Sequence, residues 1–175
     1  MVAVGRTLIA DPHWAKKAKS GKSESITPCI RCNICHHQLW LGTPLCCSMN
    51  PYVLNESNQY LTTPALKKKV MVAGAGPAGM RCAITAAKRG HEVTIYEKKP
   101  YAGGMMYPGS RPKFKDDVNR ALDWFKYEIE QNNITLKLNT TVTPEMVEEI
   151  NPDALVISIG AEPIMPDVPG MDKSH

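Results

Sequence analysis

From Lys69 to Ile159 the apolar positions fall into two alternating rhythms: short unbroken runs, and longer stretches with helical spacing. "KVMVA" (Lys69 to Ala73) predicts a short buried strand, and "PAGMRCAITAAKRG" after it an Ala-rich helix that Gly90 can cap. "EVTIYE" (Glu92 to Glu97) predicts a second strand. Lys113 to Gln131 predicts an amphipathic helix begun by Pro112, with Phe114, Val118, Ala121, Leu122, Phe125 and Ile129 on its apolar face. "ITLKL" alternates as a strand, Thr143 and Pro144 open a short helix to Ile150, and "ALVISI" (Ala154 to Ile159) predicts a buried strand. Strands alternating with helices predict an α/β fold with a doubly wound parallel sheet.

The chain before Lys69 has a different texture. Val2 to Val4 looks like the tail of a buried strand, and "ADPHWAKKAKSGK" like a short helix closed by Gly21. Residues 24 to 66 carry Pro28, Pro44, Pro51 and Pro64 with little periodicity, so this stretch reads as irregular and in need of a staple.

Charge narrows the function classes only a little. The net charge of +4 is spread over runs such as "AKKAKSGK", "LKKKV" and "RPKFK", which read as solvated loops and helix ends. No basic stripe carries regularly spaced aromatics, so no nucleic-acid surface is expected. No apolar run has the length of a bilayer span, and "MVAVGRTLIADP" lacks the hydrophobic region of a secretion signal. The expectation is a cytoplasmic protein, in which clustered cysteines mean metal or redox chemistry rather than disulfides.

Five of the six cysteines lie within the nineteen residues from Cys29 to Cys47. Cys29, Cys32 and Cys35 are each two residues apart, with the remote thiol at Cys46 or Cys47. A tight loop of three thiolates and one distant partner can clamp an iron–sulfur cubane, and bacterial ferredoxins begin with the same spacing. The rival is structural zinc, held by four cysteines or by three with His36 or His37, although the usual second ligand pair is missing. Cys82, mid-helix among alanines, reads as a packing residue.

"GAGPAG" follows the first strand and opens a helix. Gly74 permits the tight turn, Gly76 lets a pyrophosphate approach the backbone, and Gly79 lets helix and strand pack closely. Pro77 and Ala78 belong to the first helical turn, whose free N–H groups favour phosphate. Glu97 ends the next strand, twenty-three residues after Gly74, where it can accept from a ribose diol. That suits FAD or NAD and disfavours a 2′-phosphate. Just beyond, Gly103 and Gly104 allow the close backbone approach that a flavin's ribityl chain needs, while Met105 and Met106 read as core filling in preference to lining an isoalloxazine.

Taken together, "PCIRCNIC", "CSMNP", "KKVMVAGAGPAGM" and "AGG" resemble the flavin and iron–sulfur reductases related to 2,4-dienoyl-CoA reductase, trimethylamine dehydrogenase and enoate reductase, over nearly the whole chain. The resemblance implies that "VGRTLIADP" ends the last strand of an Old Yellow Enzyme-like (β/α)8 barrel, with Gly5 and Arg6 at the FMN phosphate. It favours Cys47 over Cys46 as the fourth cluster ligand. It implies that Val142 offers its backbone to the adenine, and that Gly160 in "SIGAEP" stands at the strand end meeting the flavin. Arg31, Leu54 and Ile159 depart from the family's usual glycine, glycine and threonine. Arg31 places a positive charge in the cysteine loop, where it would raise a cluster's potential.

The implied organisation is residues 1–20 as the end of an FMN barrel, 21–66 as the [4Fe–4S] segment, and 67–175 as part of a Rossmann-like FAD (or ADP) domain. The implied activity passes electrons from NAD(P)H through FAD, cluster and FMN to an activated C=C bond of an enoate or enoyl thioester. Most of the FMN site and an NAD(P) domain are absent from these 175 residues, so the chain is expected to be a piece of a larger enzyme. Alone it is expected to be inactive and to need a complementary chain or a second copy. Two other classes stay open: a stand-alone electron-transfer module, and a zinc-stapled nucleotide-binding interaction protein.

Overall fold

The computed structural model describes residues 1, 3–59, 64, 66–162, 164, 166 and 168. Val2 and the "PGMDKSH" end therefore lie outside the described residues.

Four parallel strands form the sheet: β1 (Lys69–Ala73), β2 (Glu92–Tyr96), β3 (Thr135–Lys137) and β4 (Ala154–Ile157), in the order β3-β2-β1-β4. The chain moves outward from β1 to β3 and then returns to the far side of β1, so the order reverses there. In such sheets ligands bind at the carboxyl ends of the strands at this reversal. Val70 pairs with both Val93 and Ala154, and Val72 with both Ile95 and Val156. These side chains share one face with Met80, Ala83 and Ile84 of α4 (Pro77–Lys88), and with Ala121, Phe125 and Ile129 of α6 (Asp116–Gln131). The alternation of β1 and β2 thus meets the helical stripes of two helices, giving one continuous core.

The elements expected from Lys69 onward are present, with three differences. Phe114 lies in a 3-10 turn (Lys113–Lys115) ahead of α6 and is 78% exposed rather than buried. The turn rotates it off the stripe that Ala121, Phe125 and Ile129 form. Met106 packs against the core, but Met105 is exposed. The last strand, β4, buries only one face. Ala154 and Val156 pack inward, while Leu155 and Ile157 stand exposed as on an edge strand.

α4 ends as its sequence requires. Gly90 adopts φ +96, its N–H donates to Ala87 O and that of His91 to Ala86 O, satisfying carbonyls that the helix leaves open. α7 (Pro144–Ile150) begins with Thr143 Oγ1 accepting from Met146 N at 3.3 Å.

The N-terminal segment is more ordered than its composition suggests. Ala3 and Val4 are in no strand, since the sheet of this chain offers them no neighbour. The expected single helix is two, α1 (Arg6–Ala10) and α2 (Trp14–Lys19), broken at Asp11 and Pro12. A further helix, α3 (Ile34–Trp40), lies inside the stretch read as irregular; α5 (Met106–Gly109) is a single turn. Asp11 is 3% exposed and gathers three donors: His13 N (2.9 Å), Thr27 N (2.8 Å) and Lys17 Nζ (2.6 Å). Lys17 Nζ and Trp124 Nε1 both donate to Ser25 O, at 2.7 and 3.3 Å, which fastens the segment to α6. Asp11→Ala leaves the His13 and Thr27 N–H groups without their acceptor and Lys17 with Ser25 O alone, and is expected to cost about 2–3 kcal/mol, read as a lowered urea midpoint, with Asp11→Asn losing less.

Candidate cofactor site

Arg31 and Asn33 hold positive φ (+52 and +59), which curls the loop so that its thiols turn toward one space. Cys29, Cys32, Cys35 and Cys47 wall a single cavity together with Arg6, Ile9 and Met49. Cys46 is not among the lining residues, and neither are His36 and His37. His36 instead makes an edge contact with Trp40, their ring centroids 5.9 Å apart. Among the described residues no three His, Cys, Asp or Glu side chains gather closely enough to hold one metal ion.

Around the cavity the polar contacts belong to the loop itself. Cys32 Sγ lies 3.3 Å from Ser48 Oγ, and Met49 N donates to Cys47 Sγ at 3.4 Å. Burial pushes the Cys47 thiol up, and the neighbouring Cys32 and Cys29 push it further, against the pull of the Met49 and Asn50 amides. A bound cation reverses the first effect and the like-charge repulsion together. Arg6 donates to Asn33 Oδ1 and lines this cavity. Arg31 points elsewhere: its guanidinium pairs with Asp117 on the first turn of α6. The charge expected near the cysteines is thus answered by a carboxylate, and Arg31 serves to tie loop to helix.

Leu54 also stands at positive φ (+62). The two positions where a glycine would be usual have therefore kept a glycine's backbone, despite the strain of about 1 kcal/mol or more that a side chain adds there.

The glycine turn sits at the carboxyl end of β1, beside the reversal. A Cβ at Gly74 would meet Ser158 O at 2.4 Å, and one at Gly79 would meet Gly74 O at 2.1 Å and Ser158 Oγ at 2.4 Å. A Cβ at Gly76 would meet nothing within 4 Å. Gly74 and Gly79 are thus required by packing, whereas Gly76 faces open space where Pro77, Ala78 and the helix N-terminus also stand exposed. Gly104, at φ +52, packs its own Cβ position 3.0 Å from Gly76 Cα, and Gly103 N donates to Ala75 O at 2.8 Å. The Gly-Gly pair therefore braces the turn from one side.

Glu97 is buried, with Oε2 accepting from Ala75 N (2.8 Å) and Oε1 from Lys99 N (2.9 Å). It locks the glycine turn to the end of β2, and each oxygen keeps a further lone pair for a ribose hydroxyl. Asn139 N and Thr140 N donate to Lys99 O and Glu97 O, which brings the segment leading to Val142 alongside. Gly160, at φ +79, follows β4 at the same end of the sheet.

The two sites are joined. Met49 is 4% exposed and belongs to the core of the sheet domain, with Ile30 and Cys47 packed against that core. Sequence reasoning missed three residues: Met49, Arg81, whose guanidinium donates to Met49 O from α4, and Ser158. Ser158 Oγ shares its one proton between Ala73 O and Gly74 O, at 2.9 and 3.0 Å, closing the turn from β4. Nothing local in "VISIG" marks that hydroxyl.

Comparison with known proteins places this geometry in context. Residues 68–175 match the pyridine nucleotide-disulphide oxidoreductase family model. The chain is 39% identical to an NADH oxidase of Thermoanaerobacter brockii, over 99% of this chain and 27% of that protein. It is 34% identical to a cinnamate reductase of Clostridium sporogenes, over 100% of this chain and 26% of that protein. A solved 2-naphthoyl-CoA reductase superposes with a TM-score of 0.90 at 39% identity, covering 95% of this chain and 26% of the other. The chain thus spans about a quarter of the length of the relatives it matches.

Proposed function

This chain belongs to the pyridine nucleotide-disulphide oxidoreductase family and, with the relatives its motifs resemble, to the iron–sulfur flavoenzymes of Old Yellow Enzyme type; from that premise we propose that it is the electron-carrying part of an NAD(P)H-dependent flavin reductase acting on activated C=C bonds. One observation carries the reading: four thiols wall one cavity, and the loop that bears them packs into the core beneath the glycine turn. The relatives named cinnamate reductase and 2-naphthoyl-CoA reductase support a conjugated acid or thioester as substrate.

Cys29, Cys32, Cys35 and Cys47 are the residues that would hold a [4Fe–4S] cluster. A cubane engages its thiolates at separate corners, and the C-x2-C-x2-C spacing is the one with which bacterial ferredoxins begin. The open face of Gly76 admits a pyrophosphate to the N–H groups of the first turn of α4, and Glu97 orients the ribose of FAD or ADP. Gly103 and Gly104 keep backbone, rather than side chains, beside that path. When bound, a flavin exchanges electron pairs with a hydride donor and single electrons with a cluster, which is the chemistry such a relay requires. By the family resemblance Gly5 and Arg6 would hold an FMN phosphate, and Arg6 also lines the thiol cavity from the segment 1–20. Residues 21–66 then form the cluster segment and 67–175 the dinucleotide domain. The exposed face of β4 and the exposed Leu39, Trp40 and Leu41, between the third thiol and the fourth, are surfaces for the rest of the enzyme, or for a second copy, to cover.

Anaerobic reconstitution with ferrous iron and sulfide tests the proposal. The expected product is brown, with about four irons and four sulfides per chain, and releases FAD or ADP on denaturation. Colourless protein holding one zinc would overturn it in favour of a zinc-stapled module.

A further inference from the structure

The four thiols that wall the cavity are not held alike. Cys29 follows the buried Thr27 and Pro28 and precedes Ile30, which packs against the sheet core. Cys35 is buried within α3, and Cys47 packs on that same core while Met49 N donates to its sulfur. Of these four thiols Cys32 alone is exposed, and its neighbours Arg31 and Asn33 are exposed with it.

The backbone on both sides of Cys32 is left-handed, φ +52 at Arg31 and +59 at Asn33, which asparagine tolerates and arginine resists. Two ties from outside the loop keep this corner in place. Asp117 of α6 pairs with the Arg31 guanidinium, and Arg6 donates to Asn33 Oδ1. Both run between side chains at the surface, where such contacts are individually weak. Opening the triplet disturbs few buried contacts, which puts it at the low end of local stability. A thiolate's susceptibility follows its exposure, and the apolar surroundings that shield a metal site from solvent are thinnest here.

We propose that Cys32 is the labile corner of the cluster: a one-electron oxidant releases the iron it holds, and its freed thiolate becomes a modification site. The step balances as [4Fe–4S]2+ giving [3Fe–4S]+, Fe2+ and one electron, which the oxidant takes up. The iron–sulfur bond at Cys32 breaks with its electron pair staying on sulfur. Ferrous ion and one electron restore the corner. Cys29, Cys35 and Cys47 keep their irons because each is set in or beside packed structure.

The proposal rests on the cluster reading above, and the iron count before oxidation keeps the two apart. The reconstituted chain, at about four irons, is first treated with light iodoacetamide, which blocks accessible thiols that hold no iron. One equivalent of ferricyanide follows, then isotopically heavy iodoacetamide and peptide mass spectrometry. The expected product keeps about three irons and shows a three-iron EPR signal. Heavy label at Cys32 should exceed that at Cys29, Cys35 or Cys47 by about tenfold or more. Asp117→Asn, which unties Arg31 and touches no ligand, should start from the same iron count and release its first iron about threefold faster. If that variant does not load, the labelling pattern of the wild type decides alone. Heavy label on another cavity thiol or spread evenly over the four overturns the proposal while the cluster reading stands. So does a cluster that keeps all of its iron or loses all of it at once, or a release rate that untying Arg31 leaves unmoved. A wild-type chain that takes up no iron overturns both.

Discussion

In protein reconstituted with ferrous iron and sulfide, alanine at position 47 is expected to abolish iron uptake, while alanine at position 46 leaves it in place. The two cysteines are neighbours in sequence, and the difference lies wholly in direction. Cys47 lines the cavity with Cys29, Cys32 and Cys35, receives N–H groups from the loop, and packs on the core; Cys46 is outside the lining. Iron content in Cys47→Ala should drop from about four per chain to below about one, and in Cys46→Ala should stay near four. Because metal binding is also folding free energy for a loop with little core of its own, Cys47→Ala should melt at a lower temperature than wild type and Cys46→Ala should not. Iron and sulfide assays alongside visible absorbance and a melting curve decide the matter. Iron lost from Cys46→Ala and kept by Cys47→Ala would assign the fourth ligand the other way.

The second large effect separates two glycines of one motif. Gly79→Ala drives a methyl into Gly74 O at 2.1 Å and Ser158 Oγ at 2.4 Å. The first is backbone at the end of β1, and the hydroxyl is held by two carbonyls, so neither yields cheaply. Overpacking of this kind should cost about 3 kcal/mol, seen as a lower denaturant midpoint. Gly76→Ala has open space and φ −72, a conformation that alanine adopts freely. Its stability should stay within about 0.5 kcal/mol of wild type. Its affinity for ADP or FAD should fall about tenfold or more, because the methyl stands where the pyrophosphate approaches, a loss of about 1.4 kcal/mol. Calorimetric titration beside urea denaturation reads both. Equal destabilisation by the two changes would mean that Gly76 is also a packing glycine and that the pyrophosphate approaches elsewhere.

The sheet domain was readable in the sequence because its determinants are local. Strand runs, the Ala-rich helix, Pro112 ahead of α6 and Gly90 at the end of α4 each act through neighbours within one or two turns. The GAGPAG turn, Glu97 and the first three thiols share that property: spacing alone puts them on one turn, at one strand end or on one loop. Phe114 went wrong where a periodic pattern was extended past its element into a 3-10 turn, and Met105 because an apolar residue just ahead of the single turn α5 has no pattern to say which way it faces. The helix α3 went unread because seven residues carry too little period to stand out from the prolines around them.

Tertiary structure alone decided the rest. Which of two adjacent thiols faces the cavity depends on how Met49 enters a core built some twenty residues later, and the pairing of Arg31 with Asp117 spans 86 positions. Arg81 meets Met49 across 32 positions, and Ser158 closes the glycine turn across 84. Such contacts exist only once β1, α4 and α6 have packed, since a side chain's direction in a loop is set by the surface it lands on rather than by its neighbours in the chain. The residue types and their spacing determined which groups stand close along the chain; the packing of the loop against the sheet domain determined which of them face one cavity.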